Sequence, residues 1–169
     1  TYLDHLDPIY LRYYFACKLT NSITDFDLNF DDFLSRVNSD LVGKITNIAS
    51  RGFQMLGKHF DSVLSVMDDD GSKIFEKAKG MSSQIASFYE ERNFSKVILS
   101  IREIADDVNK FFDEKTPWKL IKKGEKEKEE THKILTSTLN IFRLLAIYLK
   151  PILPSYTEQV ESLFLEDSY

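Results

Sequence analysis

The sequence predicts an all-α protein, a helical bundle of five to six helices. Its low content of turn-forming residues, six Gly and four Pro among 169 residues, favours long uninterrupted helices over a turn-rich β fold. Apolar residues recur at steps of three, four or seven along most of the chain, and such steps give each helix one buried stripe. No segment alternates between polar and apolar residues as a strand does, so no sheet is expected.

Length, composition and charge narrow the class of protein. A chain of 169 residues, 43% hydrophobic and 29% charged, is long enough for one domain with a sizeable core. No apolar run approaches the roughly 18 residues that a membrane span needs, so no membrane partner is expected. The net charge of −5 argues against a non-specific nucleic-acid binder, which would normally be basic. Recognition of RNA would therefore depend on a few specific side chains, and DNA is not an expected partner.

The chain carries no recognisable catalytic or metal-binding motif. Glycine-rich phosphate-binding motifs and a nucleophile elbow are absent from the sequence, and its three histidines are far apart. The single cysteine, Cys17, allows neither a disulfide nor a zinc cluster and suits a reducing cytosol. We therefore predict no catalytic residue, no metal ligand and a cytoplasmic location. The first residues show neither a signal-peptide pattern nor an initiator Met, so we expect a piece of a longer chain.

The first helix is predicted by its start. Asp7 is placed as N-cap and Pro8 occupies the first helical position, where its missing N–H costs nothing. The helix from Ile9 to Leu19 is apolar and aromatic nearly all round. We expect it to be enclosed, either between this domain and another body or as a plain core helix.

A long second helix is predicted to start at Asn29 or Asp31, after an extended connector, and to end near His59. Three glycines inside it each cost about 1 kcal/mol relative to Ala, which indicates a close backbone approach or a bend. The glycines are Gly43, Gly52 and Gly57, and the buried stripe comprises Val37, Leu41, Ile45, Ile48 and Met55 or Leu56.

A third helix is predicted to be capped by Asp70 or Ser72 and to end at Arg92–Asn93. Ser95 is placed to cap a fourth helix, which stops at Asp113–Lys115. The apolar stripes of both helices have the spacing of one buried face.

A sharp corner follows the fourth helix. Thr116 is placed to cap a short helix, Pro117 takes its first position and Trp118 falls in its first turn. Trp118 is the single tryptophan of the chain, and two functions suit it. It can anchor the core or its rim, or it can offer its indole face to a nucleic-acid base.

The last two helices complete the bundle. Lys122–Glu130 is a mixed-charge stretch typical of a solvated connector or helix start. A fifth long helix follows and ends at Lys150–Pro151. Ser155 and Glu158 have the spacing of a capping box, which predicts a final short helix.

Asn47 and Arg51 form a polar pair on the second helix. They are four residues apart, so they share one helix face away from the centre of the buried stripe. Asn offers a paired donor and acceptor and Arg a planar fork of donors, which suit base edges. By themselves, two such residues are also compatible with a plain solvated face.

The order of these segments resembles the C-terminal anticodon-binding domain of methionyl-tRNA synthetases, a family of class I aminoacyl-tRNA synthetases. The resemblance covers nearly the whole chain. The segments that carry it are Asp7–Leu19, Phe33–Lys44 with Asn47–Arg51, Asp113–Trp118 and Tyr148–Pro154.

The resemblance implies a set of anticodon-binding residues. In that family, the positions matching Asn47 and Arg51 hydrogen-bond bases of the CAU anticodon. The position matching Trp118 stacks on the first anticodon base, a cytosine, once the loop is splayed open, as proteins commonly recognise single-stranded RNA. Pro117 is expected to fix the approach of Trp118, and Asp113 to repel wrong loops by its charge. The implied RNA partners are the initiator and elongator methionine tRNAs.

The resemblance also implies what this chain lacks. The catalytic part of the family binds ATP and methionine, in some members carries zinc, and is absent from this sequence. We therefore expect no cofactor here and no aminoacylation by this chain alone. Residues 1–30 are predicted to form a connecting segment whose first helix meets the catalytic domain, and residues 31–169 to form the anticodon-binding bundle.

Two competing functions are kept. The chain is alternatively a helical protein-interaction module, with Trp118 and the first helix as anchors. It is alternatively the equivalent domain of another class I synthetase, such as those for isoleucine, valine, leucine or cysteine. If Asn47, Arg51 and Trp118 are exposed and converge on one surface, the structure favours RNA recognition; a Trp118 sealed in the core would oppose it.

Overall fold

The computed structural model of the chain describes residues 2–23, 25 and 27–164. Within these ranges it is helical with no strand, so the all-α prediction is confirmed. The elements in order are a 3₁₀ turn (Tyr2–Asp4), α1 (Pro8–Lys18), α2 (Phe30–Ser35), a π-helical segment (Arg36–Thr46), α3 (Asn47–Phe60), α4 (Asp69–Gly80), α5 (Ser82–Glu90), α6 (Phe94–Lys115), α7 (Pro117–Leu120), α8 (Glu125–Leu149) and α9 (Pro154–Leu163). No described helix is long and apolar enough to cross a membrane.

The helix α8 forms the centre of the bundle. It packs against α3, α4, α6, α7 and α9, and its middle is buried on nearly every side. Three consecutive buried residues there carry hydroxyls, and each hydroxyl donates to the carbonyl four residues earlier, at 2.8 to 3.0 Å. They are Thr136, Ser137 and Thr138. Polar groups can therefore be buried in this helix because its own backbone satisfies their donors.

The predicted helix starts are partly confirmed. The Asp7 carboxylate accepts from the backbone N–H of Ile9 at 2.8 Å, and the Asn29 amide oxygen accepts from that of Asp32 at 2.9 Å. Both residues precede their helices in the extended conformation that an N-cap needs.

Other predicted caps are wrong. Asp68, two residues before Asp70, caps α4 by accepting from two backbone N–H groups at 2.9 and 3.0 Å. The helix α6 begins at Phe94, so Ser95 already lies inside it and cannot cap it. The helix α9 begins at Pro154, ahead of Ser155, and has no side-chain cap within the described residues.

The third predicted helix is in fact two. The helix α4 ends at Gly80, where the low helix propensity of glycine costs about 1 kcal/mol relative to Ala. Met81 then turns the chain and α5 starts at Ser82. The apolar spacing predicted both helices but not the break, because the stripe continues across it: Ala78 and Ile85 are both buried in one core.

The second predicted helix is continuous from Phe30 to Phe60 but changes type along its length. In the segment Arg36–Thr46 each backbone N–H bonds the carbonyl five residues earlier, as in a π-helix. The N–H of Asn47, for example, bonds the carbonyl of Val42. Its stripe of Val37, Leu41 and Ile45 is buried as predicted. These residues are four apart, and the wider π turn keeps such residues aligned better than the 3.6-residue turn of an α-helix.

Polar contacts hold the π-helical segment against α6. Arg102 pairs with the buried Asp40 at 3.3 Å, and Lys44 pairs with Asp106 at 2.7 Å. Asn109 donates its side-chain N–H to the carbonyl of Lys44 at 3.2 Å. The widened stretch is therefore tied to the neighbouring helix just before Asn47 begins α3.

Glycine allows the closest helix contacts. A Cβ at Gly52 would lie 2.7 Å from Leu139 Cδ2, which confirms the predicted close approach. Gly71 is tighter still, because a Cβ there would lie 2.3 Å from the Cβ of Ser137. The closest contacts of α3 and α4 with α8 therefore require glycine at positions 52 and 71.

The helix α1 has one buried and one open face. Tyr13 and Tyr14 are fully buried, whereas Phe15 and Leu19 are 36% and 41% exposed. The exposed pair borders an apolar groove of about 270 Å³ whose other lining residues are Arg12, Ala16, Phe94, Pro151 and Ile152. The first helix was expected either to lie between this domain and another body or to be a plain core helix. One face of α1 is in the core, and its other face is exposed.

We expect Gly71→Ala to destabilise the fold by about 1–3 kcal/mol, because the added methyl overlaps Ser137 and forces α4 away from α8. Gly80→Ala on the same helix is the control, since a Cβ there meets no atom within 4 Å. It should leave stability unchanged or raise it by up to about 1 kcal/mol. Urea unfolding followed by circular dichroism measures both, and equal effects of the two variants would contradict the packing described.

Candidate nucleic-acid interface

The polar pair on the second helix lies where the helix type changes. Asn47 is the first residue of α3, directly after the π-helical segment, and Arg51 follows one turn later. Both are partly buried. Within the described residues the Asn47 side chain makes no hydrogen bond, so its donor and acceptor are available on the surface.

The corner after α6 is built by backbone geometry. Thr116 has a left-handed conformation, with φ of 45°, and its N–H bonds the carbonyl of Phe112 at 3.1 Å. Its side chain makes no capping bond, contrary to the prediction, because a left-handed residue is not in the extended N-cap conformation. Pro117 is buried in the first position of α7, as predicted, and Trp118 follows it.

Trp118 is neither sealed in the core nor free of it. One side packs on the small apolar cluster of Leu56, Phe112, Leu135 and Leu139, and the side chain stays partly exposed. Its ring centroid lies 5.8 Å from that of Phe112, with the planes inclined at 30°. The indole is therefore held at a defined angle while part of it faces solvent.

Arg51 joins the two parts of the surface. Its guanidinium carbon lies 4.3 Å from the centroid of the Phe112 ring and 5.3 Å from that of Trp118. Its Nη2 also lies 2.6 Å from Oδ1 of Asp113. The side chain is 30% exposed and that of Asp113 is 60% exposed. The Arg51 guanidinium is therefore preorganised, because two aromatic rings and a carboxylate restrict the rotation of its side chain.

The structure thus brings the predicted residues to one surface. Arg51, Asp113 and Trp118 form a contiguous group, and Pro117 sets the corner from which Trp118 emerges. Asn47 is connected to this group only by its position on α3, one turn before Arg51. We call these five residues the corner surface.

Phe112 is part of this site and was missed as a site residue. It is 3% exposed and forms the floor on which Arg51 and Trp118 rest. The apolar stripe of the fourth helix marked this position as buried, but stacking against a side chain 61 positions earlier has no local signal. Its place directly before Asp113 is the clue that the sequence offered.

Two lysines on the α4 side of the corner surface, Lys73 and Lys115, are engaged with acids. Lys115 lies 2.9 Å from Asp70 and 3.5 Å from Asp68. Hydrogen bonds from Lys73 and Lys115 lower the pKa of Asp70 to about 2, and the bond to Asp70 raises the pKa of Lys115. Lys73 and Lys115 are thus held by carboxylates of the protein, whereas Lys119, directly after Trp118, is exposed. Among the described residues no group of three His, Cys, Asp or Glu is placed to hold a metal ion.

Comparisons with known proteins identify the family to which the chain is similar. Residues 65–168 match the model of the anticodon binding domain of methionyl tRNA ligase, and residues 1–53 match that of class I tRNA synthetases (M). The methionine–tRNA ligase of Bdellovibrio bacteriovorus is 53% identical over 169 residues, which are 100% of this chain and 24% of that protein. The chain therefore spans about a quarter of the length of that relative.

Solved structures show the same fold. The apo form of Mycobacterium tuberculosis methionyl-tRNA synthetase matches with a TM-score of 0.87 and 20% identity, over 98% of this chain and 34% of that one. The same enzyme in complex with methionyl-adenylate matches with a TM-score of 0.88 and 19% identity, over 98% and 33% of the two chains. At such identities the likeness is one of fold.

We expect Arg51→Ala to shift the Trp118 emission to longer wavelength and to increase its quenching by acrylamide. The guanidinium covers the Phe112 and Trp118 rings, and water would replace it. Lys58→Ala is the matched control, because Lys58 is exposed on the same helix and touches neither ring within the described residues. Identical spectra for Arg51→Ala and the parent chain would show that Arg51 does not cover the indole in solution.

Proposed function

Because this chain belongs to the methionyl-tRNA ligase family, through the anticodon-binding domain of that family, we propose that it recognises the CAU anticodon of methionine tRNA. Both the initiator and the elongator tRNA carry this anticodon and are the proposed partners. The match to methionine-specific relatives favours this substrate over those of other class I synthetases.

The observation that supports this proposal best is the contact of Arg51 with the exposed corner at Trp118. A base stacked on the part of the indole that Arg51 leaves exposed would have its edge beside the guanidinium and, one turn back along α3, near the amide of Asn47. Stacking on an aromatic ring contributes about 1–3 kcal/mol per base and tolerates any base. The hydrogen bonds from Arg51 and Asn47 would therefore supply the preference for cytosine, since they depend on the donors and acceptors of the base edge.

Asp113 would add a second condition that a base must meet to bind at the corner surface. Its carboxylate pairs with Arg51 at 2.6 Å and remains 60% exposed. The carboxylate engages Nη2 of Arg51, so the other N–H groups of the guanidinium would serve the acceptors of a base. A base presenting acceptors towards Asp113 itself would be repelled. We propose that Asp113 rejects wrong loops in this way, and that the buried Pro117 holds the angle of Trp118.

The wider proposal concerns the parent protein. We propose that this chain is the tRNA-binding part of an enzyme that ligates methionine to its tRNA with ATP, in the cytoplasm. The catalytic domain, with the ATP site and in some members zinc, would lie outside this chain and meet the groove on α1 beside Phe15 and Leu19. By itself the chain would bind RNA and catalyse nothing. Residues 1–30 would form the connecting segment and residues 31–169 the anticodon-binding bundle.

We expect a stem-loop with the CAU anticodon to quench Trp118 fluorescence, because the first base would stack on the single indole of the chain. A loop with uracil in place of that cytosine should bind more weakly, by about 1–3 kcal/mol, since it loses the hydrogen bonds of the base edge. Arg51→Ala should reduce this preference, because only Asn47 is left to supply it, whereas Lys58→Ala should keep the preference of the parent chain. A titration of each variant with both loops measures this.

The folded state of each variant is checked by circular dichroism. Equal affinity of the parent chain for both loops would remove base recognition from the proposal. No quenching by either loop, with the parent chain folded, would favour a protein-interaction module.

A further inference from the structure

The polar face of α3 continues beyond the corner surface. Ser50 and Gln54 are exposed and lie three and seven residues after Asn47, so they share its side of the helix. Within the described residues neither side chain makes a hydrogen bond. Gln54 is one turn beyond Arg51, about 4.5 Å further along the helix axis. The helix therefore presents a row of uncommitted polar groups where only two functional residues were expected.

An open pocket of about 460 Å³ lies beside this row. Its lining comprises four residues of α3, the last residue of the π-helical segment and two residues beyond α3: Ala49, Ser50, Phe53, Gln54, Thr46, Ser62 and Leu163. Phe53 forms an aromatic wall and is itself held by an edge-to-face contact with Phe164, with centroids 5.2 Å apart. The pocket thus combines an aromatic side chain with hydroxyl and amide groups.

The position of the pocket relative to Trp118 follows from the helical repeat. Phe53 and Ala49 face one flank of the row formed by Asn47, Ser50, Arg51 and Gln54, while Arg51 leans towards Phe112 and Trp118 on the other flank. The pocket and the indole are therefore separated by α3 itself, on the order of 10 Å. A strand laid across α3 could place one base on each side.

The lining of the pocket indicates what it would hold. All seven lining residues are uncharged, so the pocket offers no counter-ion for a phosphate. An aromatic wall and a side-chain amide suit a nucleobase, which stacks by its face and pairs by its edge. Glutamine offers a donor and an acceptor side by side, the pattern that matches adenine. The anticodon proposed above has adenine next to its first base.

We propose that this pocket is a second base subsite, in which the adenine at the middle of the anticodon packs on Phe53 and pairs with the amide of Gln54. Gln54 would then be a specificity-determining residue in addition to the corner surface. The inference rests on the proposed function, because it requires the loop to be bound at Trp118 first.

Gln54→Ala tests this with stem-loops that differ at the middle base. The parent chain is expected to bind the CAU loop about tenfold more tightly than a loop with guanine in the middle. Gln54→Ala should lose that difference by weakening the CAU loop about tenfold. The quenching of Trp118 at saturation and the preference for cytosine at the first base should both be kept, because the corner surface is untouched. Lys58→Ala, one turn further along α3 and outside the pocket, is the control.

The outcomes separate the two proposals. If Gln54→Ala keeps the middle-base preference of the parent chain while Trp118 quenching persists, the subsite is overturned and the anticodon proposal stands. If the parent chain shows no quenching by any loop, the anticodon proposal fails and the subsite fails with it. Gln54 is exposed, so loss of folding is not expected, and circular dichroism checks it.

Discussion

The burial of α8 on nearly all sides is the constraint on which the rest of the structure depends. Five helices, α3, α4, α6, α7 and α9, pack on this one element, so an error in its packing would displace all of them. The floor of the corner surface is part of the same packing, since Phe112 and Trp118 rest on Leu135 and Leu139 of α8. The corner surface is therefore supported by an internal helix, as a site that depends on fixed angles requires.

Two of the buried hydroxyls of α8 also bind the loop that follows α3. Thr136 and Ser137 each donate to their own helix and also accept a backbone N–H, from Ser65 at 2.9 Å and from Asp68 at 2.8 Å. The loop after α3 is thereby fastened to the core by hydrogen bonds. Asp68 then caps α4, so a polar stripe inside the bundle determines where the next helix starts. Apolar side chains at these positions would leave those N–H groups unpaired, at a cost of about 1–3 kcal/mol each.

The features that could be predicted from the sequence are those with local causes. Asp7, Asn29 and Pro117 act through neighbours within three residues, and their roles are as predicted. Ser95 has a capping side chain too, but tertiary packing starts α6 one residue ahead of it. The π-helical segment has no compositional signal at all. The grouping of Arg51 with Phe112 and Trp118 joins three helices, so spacing along one helix could indicate Arg51 but not its partners.

The widened turns of Arg36–Thr46 have a consequence for how this chain can change in evolution. Upstream of them Asp32 is paired with Lys18 and Arg36, and downstream Arg51 must meet Asp113. Loss or gain of one residue between these anchors would turn α3 by about 100° about its axis and carry Arg51 away from the indole. Substitutions at the exposed positions of the segment are compatible with this geometry, but changes of length are not. Selection should therefore preserve the number of residues here more strictly than their identity.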